Sequence, residues 1–143
     1  MFIGFLKSNA MKIGIMQPYF LPYLGYFQIM KACDKYVVYD NIQFTKKGWI
    51  HRNRMLLNGK DALFSLPLKN DSDYLNIDQR ALADTFDKEK NKILGQIKSA
   101  YGKAPQFKTA YPVIESIFNH PDTNLFGYIY HALSAIKDYL RIV

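Results

Sequence analysis

One segment of the chain is dense in residues that can bind a ligand. It runs from Gln17 to Gln28 and contains five aromatic residues, two prolines and one glycine. Tyrosine hydroxyls form hydrogen bonds and tyrosine rings stack on other rings, while Gly25 permits close approach to the backbone. The candidate catalytic residues here are Gln17, Tyr23 and Tyr26, with Gly25 as a ligand-binding residue. The alternative is that the two prolines only shape a loop and that Phe20, Leu24 and Phe27 are hydrophobic core, which is what we expect for those three residues.

A second segment carries clustered positive charge. From Asn41 to Lys60 the chain has no acidic residue but several basic ones. The arginine guanidinium binds phosphate or carboxylate through two parallel N–H donors, and lysine adds a point charge. The predicted ligand- and phosphate-binding residues are Gln43, Lys46, Lys47, Arg52, Asn53 and Arg54. The simpler alternative is a basic hairpin whose charges face only solvent.

Asp40 directly precedes this basic segment and completes the candidate catalytic set. A carboxylate at the end of a strand can orient a hydroxyl or accept a proton, although an aspartate there is often only a cap. If His51–Leu57 is a strand, Arg52 and Arg54 lie on one face with Leu56. Both guanidinium groups can then reach the same ligand.

The elements that position these residues form a βαβ unit. The short apolar segment Lys12–Met16 predicts a strand. Apolar residues at helical spacing predict a helix over Pro22–Cys33, with Pro22 in its first turn. The β-branched and aromatic residues of Tyr36–Tyr39 predict a second strand. A strand, a helix and a strand over about 28 residues predict a parallel pair. Both candidate segments then begin at the same edge of the sheet, beside the N-terminus of a helix that favours anions such as phosphate.

The rest of the chain predicts a hairpin and then helices. Asn58-Gly59 is a strong two-residue turn signal between strands over His51–Leu57 and Asp61–Leu68. A short strand is predicted within Leu75–Leu82. Three helices are predicted, over Phe86–Tyr101, Phe107–Phe118 and Asn124–Leu140. The last residues, Tyr139–Val143, resemble the start of another strand. The predicted fold class is α/β, with a Rossmann-like N-terminal βαβ unit, a β-hairpin and a helical C-terminal half.

The length and composition suit one domain and a local anionic ligand. The chain has 143 residues, of which 49% are hydrophobic and 22% charged, so it can bury a core. Residues 1–60 contain nine Lys and Arg against two Asp, whereas residues 61–143 contain ten of each sign. Because the net charge of +7 is confined to the front of the chain, we expect a small phosphorylated partner and not nucleic acid.

Several classes of protein are excluded or disfavoured by the sequence. The single cysteine, Cys33, excludes an internal disulfide, and the three histidines lack metal-ligand spacing, so no metal site is predicted. No apolar run is long enough to span a membrane. Lys7 follows the apolar stretch of Met1–Ala10 instead of preceding it, which does not fit a secretory signal. We expect a cytoplasmic protein with residues 1–10 as an extension, a true start at Met11 and one domain over residues 11–143.

At both segments the sequence resembles the WbqC-like family of bacterial proteins. The likeness is carried by Met16–Phe20 with Pro22–Gln28, by Val38–Phe44, and by Lys47–Ile50 with Arg52–Arg54, and weaker likeness extends it over Met11–Val143. Family members are longer, so the resemblance predicts a C-terminally truncated domain and supports a start at Met11. The family supplies no established catalytic residues to carry over.

The resemblance implies a role in surface-polysaccharide or O-antigen assembly. One hypothesis is a transferase that attaches an amino-acid or acyl group to an amino sugar, with a nucleotide or nucleotide-sugar as the activated ligand. The other is a non-catalytic module that binds a nucleotide or sugar phosphate. The sequence leaves open whether the chain is an enzyme, and it leaves the oligomeric state open as well.

The four residues from Tyr23 to Tyr26 also look like the HxGH signature of nucleotidylyltransferases. In those enzymes the two histidines stabilise charge on the transferring phosphate, but here both positions are tyrosine, which carries no positive charge near neutral pH. We therefore expect Gln17, Tyr23, Gly25 and Tyr26 to form a cradle, and the resemblance leaves adenylating chemistry open, with Lys46, Lys47, Arg52 and Arg54 as the alternative source of positive charge. Asp40 and Gln43 would position the acceptor, and the basic residues would hold the phosphate.

Overall fold

The computed structural model describes residues 10–143, in which a small parallel sheet precedes a hairpin and a helical half. The expected extension over residues 1–10 lies almost wholly outside the described residues. The strands are β1 (Ile13–Met16), β2 (Lys35–Val38), β3 (Arg52–Leu57) and β4 (Lys60–Ser65). The helices are α1 (Leu24–Ala32), α2 (Phe86–Tyr101), α3 (Phe107–Phe118) and α4 (Leu125–Tyr139), with a short 3-10 helix at Ile77–Gln79. The mixed α/β class is confirmed.

The predicted βαβ unit is present. Strands β1 and β2 pair in parallel, with Ile13 opposite Lys35 and Met16 opposite Val38. Helix α1 connects them, but it begins at Leu24 with Tyr23 as its N-cap, so placing Pro22 in its first turn was wrong. Within the described residues this sheet has two strands. A larger Rossmann-like arrangement therefore remains a prediction.

The hairpin forms where Asn58-Gly59 predicted it. Leu57 pairs with Lys60, and the two residues between them have positive φ angles of 52° and 74°. Positive φ at both central positions defines a type I′ turn, whose twist matches that of the flanking strands. Local turn chemistry therefore sets the register of β3 against β4.

Two predicted strands are replaced by other structures. Within Leu75–Leu82 the chain forms the 3-10 helix, because Asn76 and Gln79 make a reciprocal capping box around its first turn. Only isolated bridges flank it among the described residues. After α4, Arg141 adopts a φ of 54° and Ile142 donates its backbone N–H to the carbonyl of Lys137 at 3.1 Å. This Schellman motif turns the chain back, so the residues after Tyr139 do not start a strand.

The core joins the N-terminal unit to the helices through one aromatic cluster. The ring of Phe20 lies 6.4 Å from Phe64, 5.6 Å from Phe118 and 5.8 Å from Tyr128, measured between centroids. Phe20 and Phe27 are buried as predicted, whereas Leu24 is 64% exposed, so its assignment to the core was wrong. Among the described residues, no helix has the length and apolar character needed to cross a membrane.

Candidate ligand-binding surface

The loop after β1 is fastened directly to strand β3. The backbone N–H of Phe20 donates to the carbonyl of Ile50 at 2.9 Å. The side-chain amide of Asn53 donates to the carbonyl of Phe20 at 3.2 Å and also to that of Leu21. Leu21 has a φ of 49°, in the left-handed region that non-glycine residues rarely adopt. The two segments singled out in the sequence therefore lie side by side, and Asn53 links them.

On the hairpin, two guanidinium groups contact one indole ring. The Cζ atoms of Arg52 and Arg54 lie 5.3 Å and 5.1 Å from the ring centroid of Trp49, within the range of cation–π attraction. Arg52 is held further by donating its Nε–H to the carbonyl of Gly48 at 2.8 Å and a second N–H to that of Lys47. Arg54 forms an ion pair of 3.0 Å with Asp61. Both cations are thus oriented before any ligand arrives.

Two tyrosines of the loop after β1, Tyr19 and Tyr23, add to this group of aromatic and cationic side chains. Burial and the neighbouring Tyr23 phenol raise the pKa of Tyr19, while the positive charge of Arg52 pulls the pKa in the opposite direction. Tyr19 is half-buried beside Arg52, and Tyr23 is 63% exposed. We call this array the Trp49 surface, and it consists of Tyr19, Tyr23, Lys47, Trp49, Arg52 and Arg54. It combines aromatic faces with positive charge.

Gly25 and Tyr26 serve the packing of the loop in this structure. A Cβ atom on Gly25 would lie 2.3 Å from the ring of Tyr23, so the glycine makes room for that ring. Tyr26 is fully buried, and its hydroxyl donates to the carbonyl of Gln17 at 3.1 Å. Burial raises the pKa of Tyr26 well above its usual value, and the neighbouring Tyr36 adds to the shift. Its hydroxyl is therefore a support for the loop.

The other candidates divide between two places. Gln17 and Asp40 follow the paired ends of β1 and β2, where Tyr39 donates its N–H to the carbonyl of Met16 at 3.1 Å. Gln43 donates its amide to the carbonyl of Asp73 at 2.9 Å, and Lys46 forms an ion pair of 2.5 Å with the Asp73 carboxylate. Gln43 and Lys46 are therefore bound to the loop around residue 73, whereas Asn53 and its neighbouring cations adjoin the loop after β1.

Lys47 lies before the hairpin, two residues from Trp49 along the chain. It is exposed, and within the described residues it makes no ion pair, although its carbonyl accepts a hydrogen bond from Arg52. The structure thus brings Arg52 and Arg54 together at Trp49, and the backbone of Lys47 is bound to Arg52. Trp49 and Tyr19 were not among the predicted ligand-binding residues, although a tryptophan set among four basic residues is a sequence signal for an aromatic and cationic surface.

Behind the hairpin lies a second pair of polar groups that the sequence did not single out as a site. His51 packs 5.1 Å from the ring of Phe44, and the buried guanidinium of Arg80 lies 5.0 Å from that ring. Arg80 donates to the carbonyls of Ser72 at 3.2 Å and Lys69 at 3.0 Å. Burial, with the charges of Arg52 and Arg80, lowers the pKa of His51 to about 4. His51 is consequently neutral at physiological pH.

The fold and the surface define a class: a small α/β protein with aromatic and cationic groups gathered beside the carboxyl edge of a βαβ unit. In residues 10–143, no three His, Cys, Asp or Glu side chains cluster as metal ligands would. The sequence profile of the WbqC-like protein family matches residues 17–143, and the chain belongs to that family.

Among curated proteins, the chain is similar to an uncharacterized protein, Rv1507c, of Mycobacterium tuberculosis. The two are 39% identical over 44 residues, which is 31% of this chain and 19% of the relative. The match thus spans about a fifth of the curated relative's length. No solved structure matches the chain significantly.

Proposed function

We propose that the Trp49 surface binds a small phosphorylated molecule that carries a sugar or a nucleoside. The observation that supports this most directly is the contact of Arg52 and Arg54 with Trp49 at 5.3 Å and 5.1 Å. Guanidinium groups bind phosphate through paired N–H donors, and aromatic faces pack against sugar or base rings. Both properties occur on one surface.

The ion pair between Arg54 and Asp61 does not prevent phosphate binding. Both side chains are more than half exposed, at 55% and 60%. Exposed ion pairs contribute between about 0 and 1 kcal/mol, because solvent competes for both charges. A phosphate that makes two hydrogen bonds can therefore replace the carboxylate, while Trp49 continues to hold the guanidinium in place.

The biological setting we propose is surface-polysaccharide or O-antigen assembly, as the likeness to the WbqC-like family suggests. The ligand would then be a sugar phosphate or a nucleotide-activated sugar. A binding role is favoured over catalysis. Nucleotidylyltransferases have two histidines where this chain has Tyr23 and Tyr26, and both tyrosines make other contacts here. Tyr23 packs on Gly25, and Tyr26 is fully buried.

A second candidate function is transfer of an amino-acid or acyl group to an amino sugar. Gln17 and Asp40 favour it, because both follow the paired ends of parallel strands, where α/β proteins bind substrates. Asp40 is half-buried. In this candidate, Gln17 orients the acceptor and its amine nitrogen attacks the acyl carbon of the activated donor. The new amide bond forms as the bond to the donor's phosphate or nucleotide breaks and that group leaves with the electron pair, while Asp40 accepts the proton from the amine.

Intrinsic fluorescence tests the binding proposal, since Trp49 is the one tryptophan of the chain. Uridine diphosphate sugars, ATP and hexose 1-phosphates would be titrated into the protein while the emission of Trp49 and the released heat are recorded. We expect saturable changes that Arg54→Gln weakens about tenfold, the loss of one charged hydrogen-bonded contact. Lys88→Gln is the control, because it removes one positive charge at an exposed position on α2 that is not part of the Trp49 surface. No heat and no fluorescence change with any of the ligands would refute the proposal.

Transfer is tested separately from binding. Protein, activated donor and amino sugar would be incubated together, and the sugar's mass measured. An Asp40→Asn variant that binds ligand normally but yields no mass increase supports the transferase. Normal binding with no product from either protein, over a panel of acyl and aminoacyl donors, supports the binding module.

A further inference from the structure

A cleft of about 350 Å³ lies between the β-hairpin and helices α2 and α3. Its walls are almost entirely apolar, and it is open to solvent on one side. The apolar lining consists chiefly of Met55, Phe64, Ile97, Phe107, Ala110 and Ile114. Apolar surface left in water is unfavourable in proportion to its area. A hydrocarbon group that covers these walls therefore gains free energy.

The rim of the cleft adjoins the Trp49 surface. Leu21, Asn53 and Arg54 all line it, and Arg54 is the one charged residue among its lining residues. Arg54 belongs to both places, because it lines the cleft and its guanidinium contacts Trp49 at 5.1 Å. Arg54 is paired with the exposed carboxylate of Asp61 outside the lining, an ion pair that a ligand phosphate or carboxylate can replace. The cleft is therefore complementary to a ligand that has an apolar body and a negative end.

We propose that this cleft binds the hydrocarbon chain of an acyl or alkyl ligand whose anionic head is held by Arg54. The inference rests on the proposed function only for the head group, since the walls of the cleft belong to other residues. An apolar cavity of about 150 Å³ accommodates benzene, so the cleft has room for roughly a dozen carbon atoms. The ligand class is a medium-chain acyl or alkyl phosphate or carboxylate.

Decyl phosphate, used below its micelle concentration, is the direct probe. Decyl maltoside has the same chain with a neutral head, and inorganic phosphate has the head without the chain. We expect decyl phosphate to bind at least about tenfold more tightly than either, because each comparison removes one of the two contacts. Titration calorimetry measures the affinities, and Trp49 fluorescence reports whether Arg54 is engaged.

Variants that fill the cleft test this site separately from the Trp49 surface. Ala110→Phe places a ring in the cleft, and Ala104→Phe does so from the loop before α3, which keeps the test available if the helix variant does not fold. Either variant should weaken decyl phosphate binding at least about tenfold and leave the binding of sugar phosphates unchanged. Ala32→Phe, at an exposed position on α1, is the control for an added aromatic ring.

The inference is overturned by any of three results. The first is that decyl phosphate binds no better than decyl maltoside or inorganic phosphate. The second is that the filled variants bind decyl phosphate as well as the native chain does. The third is that Ala110→Phe dissociates a dimer that decyl phosphate does not affect. The last outcome would assign the cleft to a second copy of the chain. If decyl phosphate behaves as expected while sugar phosphates do not bind, the proposed function fails and this inference stands. The reverse pattern refutes this inference alone.

Discussion

The side-chain amide of Asn53 donates a hydrogen bond to the carbonyl of Leu21, the residue whose backbone φ is 49°. Asn53 lies on β3, and Leu21 lies in the loop between β1 and α1. One amide therefore couples the hairpin that carries the positive charge to the loop that carries the tyrosines. It also stabilises an unfavourable backbone conformation just before Pro22.

Removing the donor of Asn53 should release the loop. Asn53→Asp keeps the size and the oxygen that accepts the Arg54 N–H at 2.7 Å, but a carboxylate cannot donate to the carbonyls of Phe20 and Leu21. We expect a loss of about 1–3 kcal/mol in the free energy of unfolding, the cost of leaving partly buried acceptors unpaired. Urea denaturation measures it, and Asn70→Asp, at an exposed position, is the matched control. Equal stability of the two variants would contradict the role of this hydrogen bond.

Because Leu21 has a left-handed backbone conformation, glycine should be tolerated better than alanine at this position. Leu21→Gly and Leu21→Ala remove nearly the same side chain, but only glycine adopts a positive φ without a steric penalty. We expect the glycine variant to be more stable than the alanine variant by about 1 kcal/mol. The same pair at Ile29, inside α1, should show the opposite order by about the same amount. Thermal unfolding of the four proteins tests this, and the same order at both positions would be inconsistent with the structure.

Gly25 and Tyr23 should be energetically coupled. Gly25→Ala forces the Tyr23 ring away, because the new Cβ would lie 2.3 Å from it. In a Tyr23→Ala background that conflict disappears, and alanine should then stabilise α1 by up to about 1 kcal/mol relative to glycine. A double-mutant cycle on unfolding free energies measures the coupling. Additive effects within error would show that Gly25 is not there to accommodate Tyr23.

His51 should make stability depend on pH in a defined direction. Its pKa is about 4 in the folded chain against about 6.5 when unfolded. Between these values the unfolded chain binds the additional proton at His51. The contribution of His51 to the free energy of unfolding therefore rises with pH from about 4 to 6.5 and is constant above that range. After discounting for partial exposure, we expect a loss of about 2 kcal/mol on going from pH 7 to pH 4.5. His51→Gln should remove that part of the pH dependence.

Nuclear magnetic resonance gives an independent measurement of the same group. The ring signals of the three histidines can be followed against pH, and one that is missing in His51→Gln should titrate near pH 4. Burial beside Phe44 and Arg80 is the physical reason for the low value. If all three rings titrate above pH 5.5, the described environment of His51 is incorrect.

Elements set by local interactions were predicted well from the sequence. Helices α2 and α3 begin and end at the predicted residues, Phe86–Tyr101 and Phe107–Phe118, because apolar residues recur along one face and breakers follow. The Asn58-Gly59 turn was equally clear. The prediction of a short strand failed within Leu75–Leu82, where a capping box and the burial of Ile77 favour a 3-10 helix.

The sequence alone determined which residues are close along the chain and which chemical groups the candidate surface contains. It could not decide which of them reach a ligand, because spacing shows that side chains share a face but not what covers that face. Tyr23 and Tyr26 are the same residue type three positions apart, yet one is 63% exposed and the other fully buried. Only the packing of α1 on the core separates them. The pairing of Arg52 and Arg54 with Trp49 likewise depends on how the segment before β3 folds back over that strand.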